Sequence, residues 1–138
     1  MLRENCARLG VTCAEFSSPA SIDLPELSIS LDCALVDAPC SNTGVMRRRV
    51  DLRWRVRLEE IQRLRTQQLE LLHGAAIQIK PGGALVYSTC SLEPEENGEV
   101  VKEFLAAHPA FLLEKEREVL PFDEGVDGAY VVKMVRQT

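Results

Sequence analysis

Cys33-Ala34-Leu35-Val36-Asp37-Ala38-Pro39-Cys40 and, further along, Ala84-Leu85-Val86-Tyr87-Ser88-Thr89-Cys90-Ser91 share one build. Each opens on a short apolar run without polar alternation and then passes through polar or turn residues to a cysteine. A short apolar run bounded by turn signals reads as a strand buried on both faces, the kind found in parallel sheets. Parallel neighbours need a long crossover, and the sequence between the two runs supplies one. From about Val56 to Ile79, apolar residues recur at three- and four-residue spacing through Leu58, Ile61, Leu64, Leu69, Leu72 and Ala76. That spacing predicts a long amphipathic helix, stopped by Pro81-Gly82-Gly83.

On the N-terminal side, Leu2 to Leu9 reads as the end of a helix with Gly10 as its stop, and Val11 to Phe16 as a short strand. A loop rich in Ser and Pro follows from Ser17 to Ser28, and Pro39, Asn42 and Gly44 mark another. On the C-terminal side, Pro94 opens a helix whose first turn carries Glu95 and Glu96, where the helix dipole favours negative charge. Its apolar face is Val100, Val101, Phe104 and Leu105, and His108-Pro109 ends it. A short strand around Phe111 to Leu113 and a longer one from Ala129 to Val135, after Asp127-Gly128, complete the pattern. Strand, helix, strand, helix, strand is the rhythm of an α/β sheet with right-handed crossovers. In such sheets the working residues lie on loops at the carboxyl ends of strands. If the two apolar strands are neighbours, about 4.8 Å apart, then Asp37, Cys40 and Cys90 open onto one crevice.

The 138 residues and 15.4 kDa suit one domain spanning residues 1–138, and eight glycines and seven prolines are too few for a disordered or fibrous chain. A formal net charge of −5 argues against nucleic-acid binding through overall positive charge. Any such contact must be a local patch. Arg47, Arg48, Arg49, Arg53, Arg55 and Arg57 form one, with Asp51 the single acid among them. Of these, Arg47, Arg48 and Arg49 are the candidate contacts to an RNA backbone. The helical part of the stretch can instead pair with Glu59 and Glu60. Trp54 could stack on a base, although packing under the loop is the expectation.

No apolar run approaches the roughly 18 to 20 residues that span a bilayer, and polar residues interrupt the N-terminus MLRENCARLG, so a cytoplasmic protein without membrane partners is expected. Five cysteines without paired spacing fit free thiols rather than a disulfide framework. Metal ligation is not expected, because no Cys-x-x-Cys occurs and His73 and His108 lie apart from every cysteine.

Two cysteines and an acid in one crevice suit one reaction that needs neither metal nor disulfide. A thiolate is the strongest nucleophile among side chains at neutral pH. Carbon 5 of cytosine becomes nucleophilic only after something adds to carbon 6. Thiolate attack there, with the ring nitrogen held by a proton donor, creates an enamine that can accept a methyl group. A second group then removes the proton from carbon 5 so that the enzyme thiol can leave.

DAPCSNTG at Asp37 to Gly44 and YSTCSLEPEEN at Tyr87 to Asn97 closely resemble the two signature motifs of the Sun-type (NOL/NOP/Sun) RNA 5-methylcytosine methyltransferases. VMRRRVDLRW, QQLELLHGAAIQIKPGG and the closing DGAYVVKMVR are also similar to that family, so the resemblance covers nearly the whole chain. It implies a Rossmann-like class I methyltransferase fold, a mainly parallel sheet with an antiparallel C-terminal strand. It also implies Cys90 as nucleophile, Cys40 as the residue assisting product release, and Asp37 as a contact to the target base near the cofactor. The implied methyl donor is S-adenosylmethionine and the implied partner is ribosomal or transfer RNA.

The chain departs from the family in places. The glycine-rich cofactor loop after the family's first strand and the ribose-binding acid after its second have no counterpart, so the first strands of the fold are expected to be missing. The acid after the third strand is Ser17 or Ser18 here, and the family's Pro before Asp51 is Val50. We therefore expect a partial, truncated catalytic domain that binds S-adenosylmethionine weakly or not at all. The strand at Cys33 to Val36 should then be an exposed apolar edge, open to self-association or to cover by the N-terminal segment. The alternative to an enzyme is a non-catalytic fragment or RNA-binding module lacking the cofactor loop. A methyltransferase for another base or for protein is disfavoured by the Thr89-Cys90 pair.

Overall fold

A computed structural model describes residues 2–16 and 31–138. The expectations for Ser17 and Ser18 and for the loop through Ser28 lie outside these residues. The first helix, α1 (Leu2–Arg8), ends as expected at Gly10, whose φ of 68° is open to glycine without strain. Val11 N–H bonds Cys6 C=O at 2.9 Å and Gly10 N–H bonds Ala7 C=O at 3.2 Å, the paired bonds of a Schellman stop. The strand expected at Val11 to Phe16 does not form. No described strand pairs with that segment, and a strand exists only by exchanging backbone bonds with a neighbour.

The remaining elements are β1 (Leu31–Asp37), α2 (Leu58–Gln78), β2 (Ile79–Thr89), α3 (Gly98–Ala107), β3 (Phe111–Val119), the single turn α4 (Pro121–Glu124) and β4 (Ala129–Arg136). The four strands form one sheet in the order β1-β2-β4-β3. β1 and β2 are parallel, joined by the α2 crossover, while β4 runs antiparallel to both β2 and β3. Three strands thus share one direction and the C-terminal strand opposes them, which is the α/β methyltransferase arrangement that the sequence implied.

The sequence pattern misplaced three boundaries. Pro81-Gly82-Gly83 lies within β2 rather than between elements: Leu31 pairs with Ile79 and Cys33 with Ala84, so the intervening residues of β2 bulge out of the ladder without ending the strand. Gly82 has φ of 78°, and a Cβ on Gly83 would press into the Asp32 carbonyl of β1. β3 extends to Val119, well beyond Leu113, because pairing with β4 continues along a run that is exposed and charged. Pro94 opens only a 3-10 turn, Pro94–Glu96, and α3 begins after Asn97, whose backbone (φ −113°, ψ −105°) is not helical.

Alternation along β2 and β4 places Leu85, Tyr87, Val132 and Met134 on one face, all essentially inaccessible to water. Against that face pack Leu69, Leu72 and Ala76 of α2 and Val100, Val101 and Phe104 of α3. This single core fixes the crossover helix over β2, and with it the carboxyl ends of β1 and β2. No described helix is long and apolar enough to cross a membrane. Among the described residues no strand flanks the outer side of β1, where Leu35 is 66% exposed.

Candidate functional site

Asp37 and Ser88 are partners in the β1/β2 register, and Ala38 N–H extends the ladder to Ser88 C=O at 3.0 Å. Ser88 Oγ also donates to Asp37 Oδ1 at 3.3 Å, with Asp37 exposed at the lip. Beyond that last rung the two chains leave the sheet together. Cys40 and Cys90 arrive with their Sγ atoms 3.2 Å apart, Cys40 buried and Cys90 half-buried. Asn42 locks the first loop: it adopts a left-handed φ of 61°, which asparagine tolerates better than most residues. Its amide donates to Cys40 C=O at 2.8 Å, and its Oδ1 accepts the Cys90 thiol at 2.9 Å. Burial pushes the Cys40 thiol up to about 12, and the adjacent Cys90 reinforces the shift. Cys40 is therefore held as a thiol.

Glu96 joins the two loops from behind. Its carboxylate is fully buried and accepts from Ser41 N–H at 2.9 Å, from the Ser41 hydroxyl, from Ser91 Oγ at 2.6 Å and from Gln68 Nε2 at 3.0 Å. Ser41 and Ser91 each follow a cysteine, so one carboxylate sets the register of both. Gln68, projecting from α2, also donates to Pro39 C=O at 2.9 Å. Tyr87 OH donates to Glu96 C=O at 2.6 Å, and burial beside Glu96 pushes that phenol above its ordinary range. Thr89 Oγ1 donates to Asn97 Oδ1 at 2.6 Å, and Asn97 returns a bond to Ser91 C=O at 3.0 Å. From the sequence, Glu95 and Glu96 belong to the first turn of a helix. Nothing in local periodicity separates a solvated Glu96 from a buried one, and its place inside YSTCSLEPEEN was the one available signal.

Two glycines let the backbone close around the pair. Gly44 N–H donates to Cys90 C=O at 2.9 Å and Gly128 N–H donates to Gly44 C=O at 2.8 Å. A Cβ on Gly44 would overlap the carbonyl oxygens of both Gly128 and Cys90.

A crevice of about 300 Å³ opens beside Cys40, lined also by Asn42, Leu52, Arg55, Arg57 and Leu64. The arginine stretch divides around it. Arg47 and Arg48 both pair with Asp127, at 2.6 and 2.7 Å, and hold its carboxyl below the usual range. Arg55 pairs with Asp51 at 3.3 Å. Arg49 is exposed and makes no ion pair among the described residues. Trp54 does not pack under the loop: it is 82% exposed at the end of the 3-10 turn Val50–Trp54, which is too short to fold back over the indole. Cys6, Cys13 and Cys33 lie away from this site, Cys13 and Cys33 exposed.

A buried thiol beside a more accessible one, at the carboxyl ends of adjacent parallel strands, can present a sulfur nucleophile with a proton-carrying partner in contact. The family model for the 16S rRNA methyltransferase RsmB/F matches residues 1–135. A ribosomal RNA small subunit methyltransferase B of Vibrio vulnificus strain YJ016 is 48% identical over 112 residues, covering 77% of this chain and 26% of the relative. The protein of the same name from Vibrio cholerae is 39% identical over 146 residues, covering 99% of this chain and 33% of the relative. The crystal structure of PH0851 matches with a TM-score of 0.89 at 30% identity, covering 96% of this chain and 33% of that one. The structure of NSun6 from Pyrococcus horikoshii with SFG matches with a TM-score of 0.85 at 30% identity, covering 99% and 38%. The chain thus spans a third or less of these curated relatives. A family model matched almost from end to end and a shared fold at 30% identity lead to one conclusion: the chain belongs to the RsmB/F family of 16S rRNA methyltransferases.

Proposed function

We propose that this chain carries the base-modifying part of an S-adenosylmethionine-dependent RNA methyltransferase acting on carbon 5 of cytosine in ribosomal or transfer RNA. The 3.2 Å contact of Cys40 with Cys90 carries the reading. S-adenosylmethionine, when bound, supplies the methyl group. Asp37 fits one end of that cofactor, an exposed carboxylate at a strand's carboxyl end that suits an ammonium group or the amine edge of the base. No glycine-rich loop follows a described strand on the cofactor side, so these residues supply a part of the cofactor contact only. The neighbour solved with SFG, a cofactor analogue, supports cofactor use in the family.

Cys90 is the nucleophile. Its thiolate forms a bond to carbon 6, and the displaced electron pair makes carbon 5 electron-rich. At release a water molecule acting as base takes the carbon 5 proton, the carbon–hydrogen electron pair restores the carbon 5–carbon 6 double bond, and the Cys90–carbon 6 bond breaks with its electron pair going to sulfur. Cys40 assists this release: it touches Cys90 and binds its own proton tightly. In this reading Asp37 orients the base and Arg47, Arg48 and Arg49 contact the RNA backbone, Arg47 and Arg48 by exchanging their Asp127 partner for phosphate.

RNA carrying 5-fluorocytosine blocks proton loss from carbon 5, so with S-adenosylmethionine present a gel-stable protein–RNA adduct is expected. Cys90→Ala should abolish it and Cys40→Ala should let it accumulate on ordinary RNA. An adduct yield unchanged in Cys90→Ala would overturn the assignment. RNA binding without any adduct would favour the non-catalytic RNA-binding module.

A further inference from the structure

We propose that Trp54, with the arginines around it, is a stacking platform for one unpaired base beside the cytosine that enters the Cys40 crevice. The inference rests on the RNA reading above and narrows it to single-stranded RNA.

Trp54 is the chain's only tryptophan, and 82% of it faces water. An indole so exposed gains nothing from the core of this fold. It ends the turn Val50–Trp54 and falls in sequence between Leu52 and Arg55, both of which line the crevice with Cys40 and Asn42. The next residues, Arg55 and Arg57, line the same crevice. The surrounding charge selects the partner. Arg47 and Arg48 are neutralised by Asp127 and Arg55 by Asp51. Arg49, Arg53 and Arg57 are exposed, without an ion pair among the described residues. Three uncompensated cations within five positions of an exposed aromatic residue, on a chain whose net charge is −5, form a local anion-seeking stretch. Exposed Val50 and Leu58 lie nearby, but a protein partner for an apolar patch would not call for this density of positive charge. Aromatic ring plus cation is the combination that holds a single strand: the ring takes the face of a base, and the guanidinium groups take phosphates. A base inside a duplex hides its faces, so the platform discriminates against paired RNA.

Because Trp54 is the only tryptophan, emission of the full chain excited at the red edge, where the two tyrosines do not absorb, reports this residue alone. Titration with a short, unstructured oligocytidylate at low salt is expected to quench that emission. A duplex RNA of equal length should bind at least about tenfold more weakly, and inorganic polyphosphate should bind without comparable quenching. Trp54→Ala, followed by fluorescence anisotropy of a labelled oligocytidylate, should weaken binding roughly fivefold to a hundredfold, with Trp54→Phe between it and the parent. Urea unfolding should show the same midpoint for all three proteins, since the side chain is outside the core. Cys90→Ala should quench as the parent does, which separates failure of the platform from failure of the covalent chemistry. Equal affinity for duplex and single strand, binding without quenching, or an emission change that follows protein concentration and ignores RNA would each overturn the proposal.

Discussion

Cys40 Sγ and Cys90 Sγ are in van der Waals contact at 3.2 Å, although fifty positions separate them in the chain. A disulfide needs about 2.05 Å, so the two sulfurs are adjacent but unbonded, and no other thiol stands as near to either among the described residues. Hydrogen peroxide should oxidise the pair, two thiols and one peroxide giving a disulfide and two waters. Non-reducing peptide mapping is expected to recover the Cys40–Cys90 link with Cys6, Cys13 and Cys33 still reduced. Random pairing among the five cysteines would refute the geometry.

Glu96 gives a graded prediction. Glu96→Ala strands the Ser41 N–H, two hydroxyls and the Gln68 amide in a dry site, a loss on the order of 3 kcal/mol in urea unfolding. Glu96→Gln keeps one acceptor for Ser41 N–H and Gln68, and its amide can donate to the two hydroxyls, which can rotate to accept. Its loss should be about 1 kcal/mol. Equal losses in the two variants would mean that the site requires the carboxylate's charge and both of its acceptor oxygens, not a side chain of this size with partial hydrogen bonding.

The histidines off the site set a pH dependence. His73 Nδ1 and His108 Nε2 share a hydrogen bond at 2.6 Å, and His108 lies stacked on Phe104. Burial, then His73 and Arg136, hold the His108 imidazole below its ordinary value of 6.5. A base whose folded value is depressed binds fewer protons folded than unfolded, so its contribution is present above pH 6.5 and is lost as pH falls below it. Thermal unfolding between pH 7.5 and 5 should therefore show a falling midpoint, with a shallower fall in His108→Gln.

Leu35, on the outer strand β1, is 66% exposed beside a groove of about 420 Å³ that Ala34, Leu71 and Ala75 also line. An open apolar edge templates pairing with another strand. Sedimentation is expected to show association that rises with concentration and is reduced by Leu35→Lys. A parent chain that stays monomeric throughout would remove self-association from the account.

Much of this architecture could be read from residue order. The apolar runs ending at Asp37 and Ser88 gave the parallel pair, the three- and four-residue spacing gave α2, and the two cysteine motifs gave the crevice. The missed features depend on what lies across space. Glu96 is buried because Ser41 and Gln68 converge on it from two distant segments and Ser91 from five residues upstream, and no window around Pro94 reveals the two distant partners. β3 outran its apolar start because β4 continued to offer backbone partners. Val11 to Phe16 has strand composition without a partner strand among the described residues. Arg47 and Arg48 looked free until Asp127, eighty positions away from Arg47, closed on them.

The glycine contact has a consequence for synthesis. Gly128 bonds to Gly44, which bonds to Cys90, so the strap that seats both cysteine loops is the last of the three segments to be made. A nascent chain that ends before residue 128 carries both motifs in full and still lacks the third side of their enclosure. The ribosome therefore finishes this pair of thiols late, after all of β3 and the turn that follows it have been translated.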